Sequence, residues 1–428
     1  MAKRLTVLLI LFLSTLAAWP QCDFLRSQYV PLSFHEFFPA KKNISLSAEY
    51  YSGSTAITSK FFNYYYLGKF IETPLKNDVS HRLHESNNLF GAGFNSSLTY
   101  IYKIKDSTRT RAISFAGISS RNFAESDFSR DLFELYFHGN KSFAGKTANF
   151  DDFHFRLFQY QKLTWGRLMV NTGDTARVSF GYSGSLLIGQ RFNDINVSGS
   201  IYTAPHGEYL DLKANGNLHA TDSAQTSFGS FNGYGASIDF YFHYPVSPAT
   251  SLNFLVTDFG FINWNNKTSV ITVDTLYHFE GVEVRDLFDF SDSVLSSTSL
   301  SDSSQANAFL THHVKQNYST ILPVKASLEL SYAYNQKISF SLLDEIMTGN
   351  FFRNFIALRV GWKPSAYAIL SGQVSYGGYG NFDAGIITSF LIKKKFTVTA
   401  GSYSVTGLLF PGYFTSQGAF VSLKKYLN

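Results

Sequence analysis

The chain has 428 residues, of which 17% are aromatic (43 Phe and 26 Tyr) and only 16% charged. A soluble domain carries about 25% charged residues. A formal net charge of +5 over this length gives no electrostatic case for a nucleic-acid partner, and the one cysteine, Cys22, excludes an intrachain disulfide framework and thiolate zinc clusters.

The first element is an export signal. Lys3 and Arg4 form a basic n-region, Leu5 to Leu16 an apolar h-region, and Ala17-Ala18 the small residues for cleavage. The expectation is a signal peptide over 1–21 and a single barrel domain over 22–428. The residues before Cys22, Trp19-Pro20-Gln21, are not the small residues a lipoprotein peptidase takes, which argues against a lipid anchor there. Beyond the signal, no window reaches about 18 uninterrupted apolar residues, the length a helix needs to span a bilayer.

What recurs instead is period-two sequence. Val178, Phe180 and Tyr182 alternate with Arg177, Ser179 and Gly181. Ala236, Ile238, Phe240, Phe242 and Tyr244 alternate with Ser237, Asp239, Tyr241 and His243. Ala326, Leu328, Leu330, Tyr332 and Tyr334 alternate with Ser327, Glu329, Ser331 and Ala333, and Ile356, Leu358, Val360 and Trp362 with Ala357, Arg359, Gly361 and Lys363. Successive strand side chains point to opposite faces, so each segment has one apolar face and one small or polar face. In a membrane barrel these become lipid and lumen; in a sandwich, core and solvent.

The connections alternate too. Short links read at Lys105–Thr108, Asn171–Asp174, Ala204–Gly207, Pro245–Pro248, Asn335-Gln336, Lys363–Ser365 and Lys393–Lys395. Longer ones read at Phe123–Phe150, Arg191–Ile195, Asn215–Gly233, Asn265–Thr320, Asp344–Asn354 and Ser404–Ser416, with a compact Gly377–Asn381 turn among them. Outer-membrane barrels show this rhythm because tight turns face the periplasm and loops face outside. Counting back from Gln417–Leu427 gives about 16 strands starting near Ile57, with Ile44–Ser54 either a further strand or a periplasmic lead-in. The loop over 265–319 is read as an external loop, or as a plug folded into the lumen.

The sequence carries no strong enzymatic motif. Its best polar cluster is Asp151-Asp152-Phe153-His154-Phe155-Arg156, in which Phe153, Phe155 and Leu157 would face lipid and Asp152, His154 and Arg156 the lumen. Arg177, Asp239, His243, Glu329 and Arg359 are further lumen candidates, because a lipid-facing arginine near the midplane costs about 2–4 kcal/mol. His81 and His84, and His312-His313, read as solvated residues, and no metal or cofactor is expected.

Three stretches in order, Val256-Thr257-Asp258-Phe259-Gly260-Phe261-Ile262-Asn263-Trp264, Gly281-Val282-Glu283-Val284-Arg285-Asp286-Leu287 and Leu322-Pro323-Val324-Lys325, resemble an uncharacterised family of Bacteroidetes outer-membrane proteins, a domain of unknown function. Phe38-Pro39-Ala40 stands where that family has an Asn-Pro-Ala element, and Tyr426-Leu427-Asn428 replaces the usual terminal aromatic. The resemblance implies a barrel distantly similar to fatty-acid-transporter-like channels and to barrels that accompany type IX secretion. It brings no catalytic residues.

The reading is an all-β protein: a transmembrane antiparallel β-barrel of about 14–16 strands in a Gram-negative outer membrane. Its expected role is a non-enzymatic channel, transporter or accessory barrel. Its expected partners are outer-membrane lipid, the barrel assembly machinery and a secretion or envelope component. The alternatives are a barrel hydrolase acting on lipid or peptide, and a soluble exported β-protein that binds a partner.

Overall fold

A computed structural model describes residues 42–106, 110–171, 178–221, 229–280, 312–348 and 351–427. The signal segment, Arg177, Gly281–Leu287 and the Phe38-Pro39-Ala40 element lie outside the described residues.

In chain order the strands are β1 (Asn43–Ser54), β2 (Asn88–Asp106), β3 (Thr110–Phe128), β4 (Lys146–Asn149), β5 (Phe153–Asn171), β6 (Ser179–Thr203), β7 (Tyr209–Ala220), β8 (Gly233–Pro245), β9 (Thr250–Trp264) and β10 (Ser269–Glu280). There follow β11 (His312–Lys315), β12 (Tyr318–Ile321), β13 (Lys325–Ala333), β14 (Ile338–Met347), β15 (Arg353–Ser365), β16 (Ala368–Gly378), β17 (Phe382–Ile392), β18 (Phe396–Ser402) and β19 (Ser416–Tyr426). Among the described residues the α-helices are α1 (Ser59–Tyr66), α2 (Thr73–Arg82), α3 (Arg130–His138) and α4 (Val405–Leu409). Among the described residues no helix is long and apolar enough to cross a membrane.

Fourteen strands close a ring: β1, β2, β3, β5, β6, β8, β9 and then β13 to β19, each antiparallel to its neighbours. The ring is sealed by its first and last strands, Asn43 pairing with Tyr426 and Gly53 with Ser416. Closure satisfies every strand edge, which an open sheet in lipid does not achieve. The count falls in the expected range, but the first wall strand begins at Asn43. The stretch near Ile57 instead leads into α1, whose N-cap Thr58 accepts from the Phe61 N–H.

The barrel is inside-out relative to a soluble protein. On β13 Leu328, Leu330 and Tyr332 are exposed outside while Ser327, Glu329 and Ser331 are buried inside. On β8 Ile238, Phe240, Phe242 and Tyr244 are exposed, and Ser237 and Asp239 buried. Short turns lie at one end of the ring, together with both described chain ends, and long connections at the other.

Two connections differ from the sequence reading. Arg191–Ile195 is not a loop but the middle of β6, which runs 25 residues. Ala204–Gly207 is a tight turn at the long-loop end, because β6 rises past the ring and turns there into β7. The Asn193–Thr203 part of β6 pairs with β7, β7 with β10 and β10 with β11, forming a sheet that stands beyond the ring. The connection over 265–319 thus contains β10, β11 and the start of β12. One face of this sheet (Val197, Ile201, Leu212, Leu218, Ile271) shares a core with Phe61, Val79, Leu132, Phe133 and Phe150, so the sheet and α1 to α3 form one apolar body on the ring. Phe153 packs against this body rather than on the outer face expected for it.

Candidate site in the barrel lumen

Opposite β8, strand β9 carries a bulge. Ile238 pairs with Phe259 and Phe240 with Val256, so Thr257 and Asp258 share the single position of Asp239. Asp258 takes a left-handed φ of 59°, which asparagine and aspartate tolerate better than other non-glycine residues. The extra residue lets two consecutive side chains face inward, and after it the inward set changes from Asn253, Leu255 and Thr257 to Ile262 and Trp264. The Asp258 N–H donates to the Asp239 carboxylate at 2.9 Å, which fixes the bulge.

Lys162, on β5 and 1% exposed, answers both acids. Its ammonium donates to Asp239 at 2.9 and 3.0 Å and to Asp258 at 2.9 Å, while Ser183 donates to Asp239 at 2.7 Å. The network follows the inner wall across β5, β6, β8 and β9.

A cavity of about 260 Å3 lies above this network and spans the lumen. One side is Lys325, Ser327, Glu345, Phe355, Arg359 and Gln373 on β13 to β16; the other includes Glu49, Tyr51, Arg121, Tyr160 and Asp258. Lys325 pairs with Glu345 at 2.7 Å.

The Gly377–Asn381 turn closes the cavity toward the long-loop end. Gly377 and Gly378 adopt φ of 103° and 65°, which fold the turn inward. Tyr379 is carried past β17, β18, β19, β1 and β2 and donates to Glu125 on β3 at 2.5 Å. Its ring lies on Gly91, where a Cβ would stand 2.2 Å away, so only glycine leaves room. Asn381 donates to the Thr55 carbonyl at 2.9 Å, and Phe352 meets Tyr379 edge-on at 5.3 Å.

The candidate residues from the sequence fall into several places. Arg156 faces inward and bridges Glu125 at 3.5 Å and Asp194 at 3.4 Å. His154 lies against Phe351 at 5.3 Å. Asp152 is not on the wall: it sits in an exposed turn ahead of β5, with φ 58° and its N–H donated to Ser198. Asp239 is in the lysine network, and His243 contacts Asn253 at 2.7 Å. Glu329 and Arg359 face inward at 3.9 Å from each other. The sequence reading missed Lys162, Asp258, Glu125 and Tyr379. Asp258 carried a signal through its place in the first motif, and Tyr379 through the compact Gly377–Asn381 turn. Among the described residues no three His, Cys, Asp or Glu side chains converge as metal ligands.

An aromatic stack joins this site to the outer sheet: Phe123 to Phe158 at 5.1 Å, Phe158 to Phe192 at 4.9 Å, Phe192 to Tyr318 at 5.9 Å and Tyr318 to His219 at 4.1 Å. His219 lies on β7, beyond the ring, and burial holds its imidazole below the usual value, with Asp194 opposing. Trp264 stacks on Phe192 and donates to Thr320 at 2.9 Å, and the Leu322 N–H donates to the Gly260 carbonyl at 2.9 Å. The first and third sequence motifs are therefore one packed unit around the bulge.

A family model described as a family of unknown function (DUF5723) matches residues 38–402. The chain belongs to that family. No curated protein matches it. Among solved structures it is similar to the Pseudomonas putida toluene transporter TodX, at 10% identity over 93% of both chains with a TM-score of 0.44. It is also similar to a Pseudomonas aeruginosa FadL homologue, at 11% identity over 93% of this chain and 92% of that one, with a TM-score of 0.42.

Proposed function

We propose that this DUF5723 protein is an outer-membrane barrel of a Gram-negative bacterium and passes a small solute through its lumen, without catalysis. The carrying observation is the polarity of the closed ring, apolar outside and polar inside around a cavity. Such a surface suits lipid and not water. Outer-membrane lipid and the barrel assembly machinery are then its partners for insertion. The hydrolase reading finds no support in the geometry, since Arg156 is held by Glu125 and Asp194 and Asp152 lies off the wall.

The Tyr379 turn stands across the path, so passage requires the bond to Glu125 to part. The test is conductance of the refolded protein in a planar bilayer. Discrete steps are expected; a folded barrel that shows none, with Tyr379→Ala as silent as the parent, rejects the channel.

A further inference from the structure

We infer that the lumen cavity binds a small organic anion, a carboxylate on an aromatic or apolar body, with Arg359 as its counter-ion. This rests on the channel reading and names the class of solute.

The cations at and near the cavity are not equivalent, and Arg121, which also lines it, has partners of its own. Lys162 has carboxylate oxygens of Asp239 and Asp258 at 2.9 Å, and Lys325 has Glu345 at 2.7 Å. Arg359 has Glu329 only at 3.9 Å, and donates from one Nη to Gln373 at 3.2 Å. Its Nε has no hydrogen-bond partner among the described residues, although the side chain is only 17% exposed. Buried donors left unmade are costly, and a guanidinium that turns its now shut-off Nε edge toward the cavity offers two parallel N–H groups to a carboxylate.

The rest of the cavity supplies the apolar contact. Phe355 is on the inner face of Arg359's own strand, and Tyr51, Phe123, Tyr160 and Phe352 also line the space. A cavity of about 150 Å3 already admits benzene, so about 260 Å3 takes a ring with its carboxylate. Of the lining acids, Asp258 and Glu345 are matched by lysines, and Asp383 accepts from the Thr406 hydroxyl at 2.8 Å. Glu49 also lines the cavity and has partners of its own, and a cationic probe belongs in the test.

The experiment is calorimetric titration of the folded, detergent-solubilised barrel with benzoate, benzyl alcohol and benzylammonium. Benzoate should bind saturably, the other two at least tenfold more weakly, and Arg359→Gln should weaken benzoate at least tenfold. Absence of saturable benzoate binding, equal binding of benzyl alcohol or benzylammonium, or an Arg359→Gln protein that binds benzoate like the parent each overturns the inference. If Arg359→Gln fails to show a heat-dependent gel shift, Ser327→Leu decides. It fills the cavity without altering a charge, and should abolish benzoate binding; a folded Ser327→Leu protein that still binds overturns the site. Binding is read without conductance, so a conducting barrel that ignores benzoate sinks this inference alone, and a binding barrel that never conducts sinks the channel alone.

Discussion

Tyr379 and Glu125 meet across the long-loop mouth of the barrel, hydroxyl to carboxylate at 2.5 Å, although five wall strands (β17, β18, β19, β1 and β2) lie between β16, which leads into the Tyr379 turn, and β3. Glu125 is fully buried and is held in turn by Arg156, which also reaches Asp194. The mouth is thus latched by a chain of four side chains, and Tyr379 is the link on the turn that folds inward.

Removing that link should open the path. Tyr379→Ala is expected to raise single-channel conductance several-fold, and Tyr379→Phe, which keeps the ring and loses the bond, by less. Gly91→Val should act like Tyr379→Ala, because its side chain occupies the space of the Tyr379 ring. Equal conductance in all three variants and the parent would show that the turn does not lie in the path.

The lysine network is structural. Lys162→Met leaves Asp239 and Asp258 buried and facing each other, and should cost about 3–5 kcal/mol in denaturant unfolding. Replacing both acids by Asn in the same protein should recover much of that loss. A single Lys162→Met variant as stable as the parent would remove the network from the account.

The two faces of one strand should respond oppositely to the same residue. Leu330→Arg puts a charge on the outer face of β13 and should cost about 2–4 kcal/mol if that face meets the bilayer interior. Ser331→Arg places it inside, where it meets polar neighbours, and should cost less. Comparing folded yield in vesicles checks this, and equal tolerance at the two sites would argue against lipid outside.

The outer sheet should loosen in acid. Burial lowers the His219 imidazole in the folded state, so the unfolded segment takes up the proton first as pH falls through about 6.5. Stability held at higher pH is lost from there down to the folded value. Amide protection in β7 and β12, corrected for the intrinsic exchange rate, should therefore fall from roughly pH 7 to pH 5, and His219→Phe should flatten the change. An unchanged profile in the variant would remove His219 as the cause.

The wall strands were legible because lipid and lumen impose a period of two, which β8, β13 and β15 carry residue by residue. The closing strand β1 was harder to place, since its partner β19 lies at the far end of the chain and no tight turn links them. β6 was misdivided because its alternation continues past the ring into the outer sheet, where one face still packs on a core. The bulge at Asp258 shifts the inward set by one residue, and nothing local distinguishes an aspartate with positive φ from any other. The Gly377–Asn381 turn read as compact, but its inward fold depends on Gly91 and Glu125, more than about 250 residues earlier.

The most direct test of the barrel in its membrane is tryptophan quenching by brominated lipid. Trp165 and Trp362 are 51% and 50% exposed on the outer face, while Trp264 is 1% exposed inside. In vesicles, the Trp264→Phe protein should be strongly quenched, and a protein retaining only Trp264 should be nearly unaffected. Quenching of Trp264 alone, or of none of the three, would contradict a barrel whose apolar face lies in lipid.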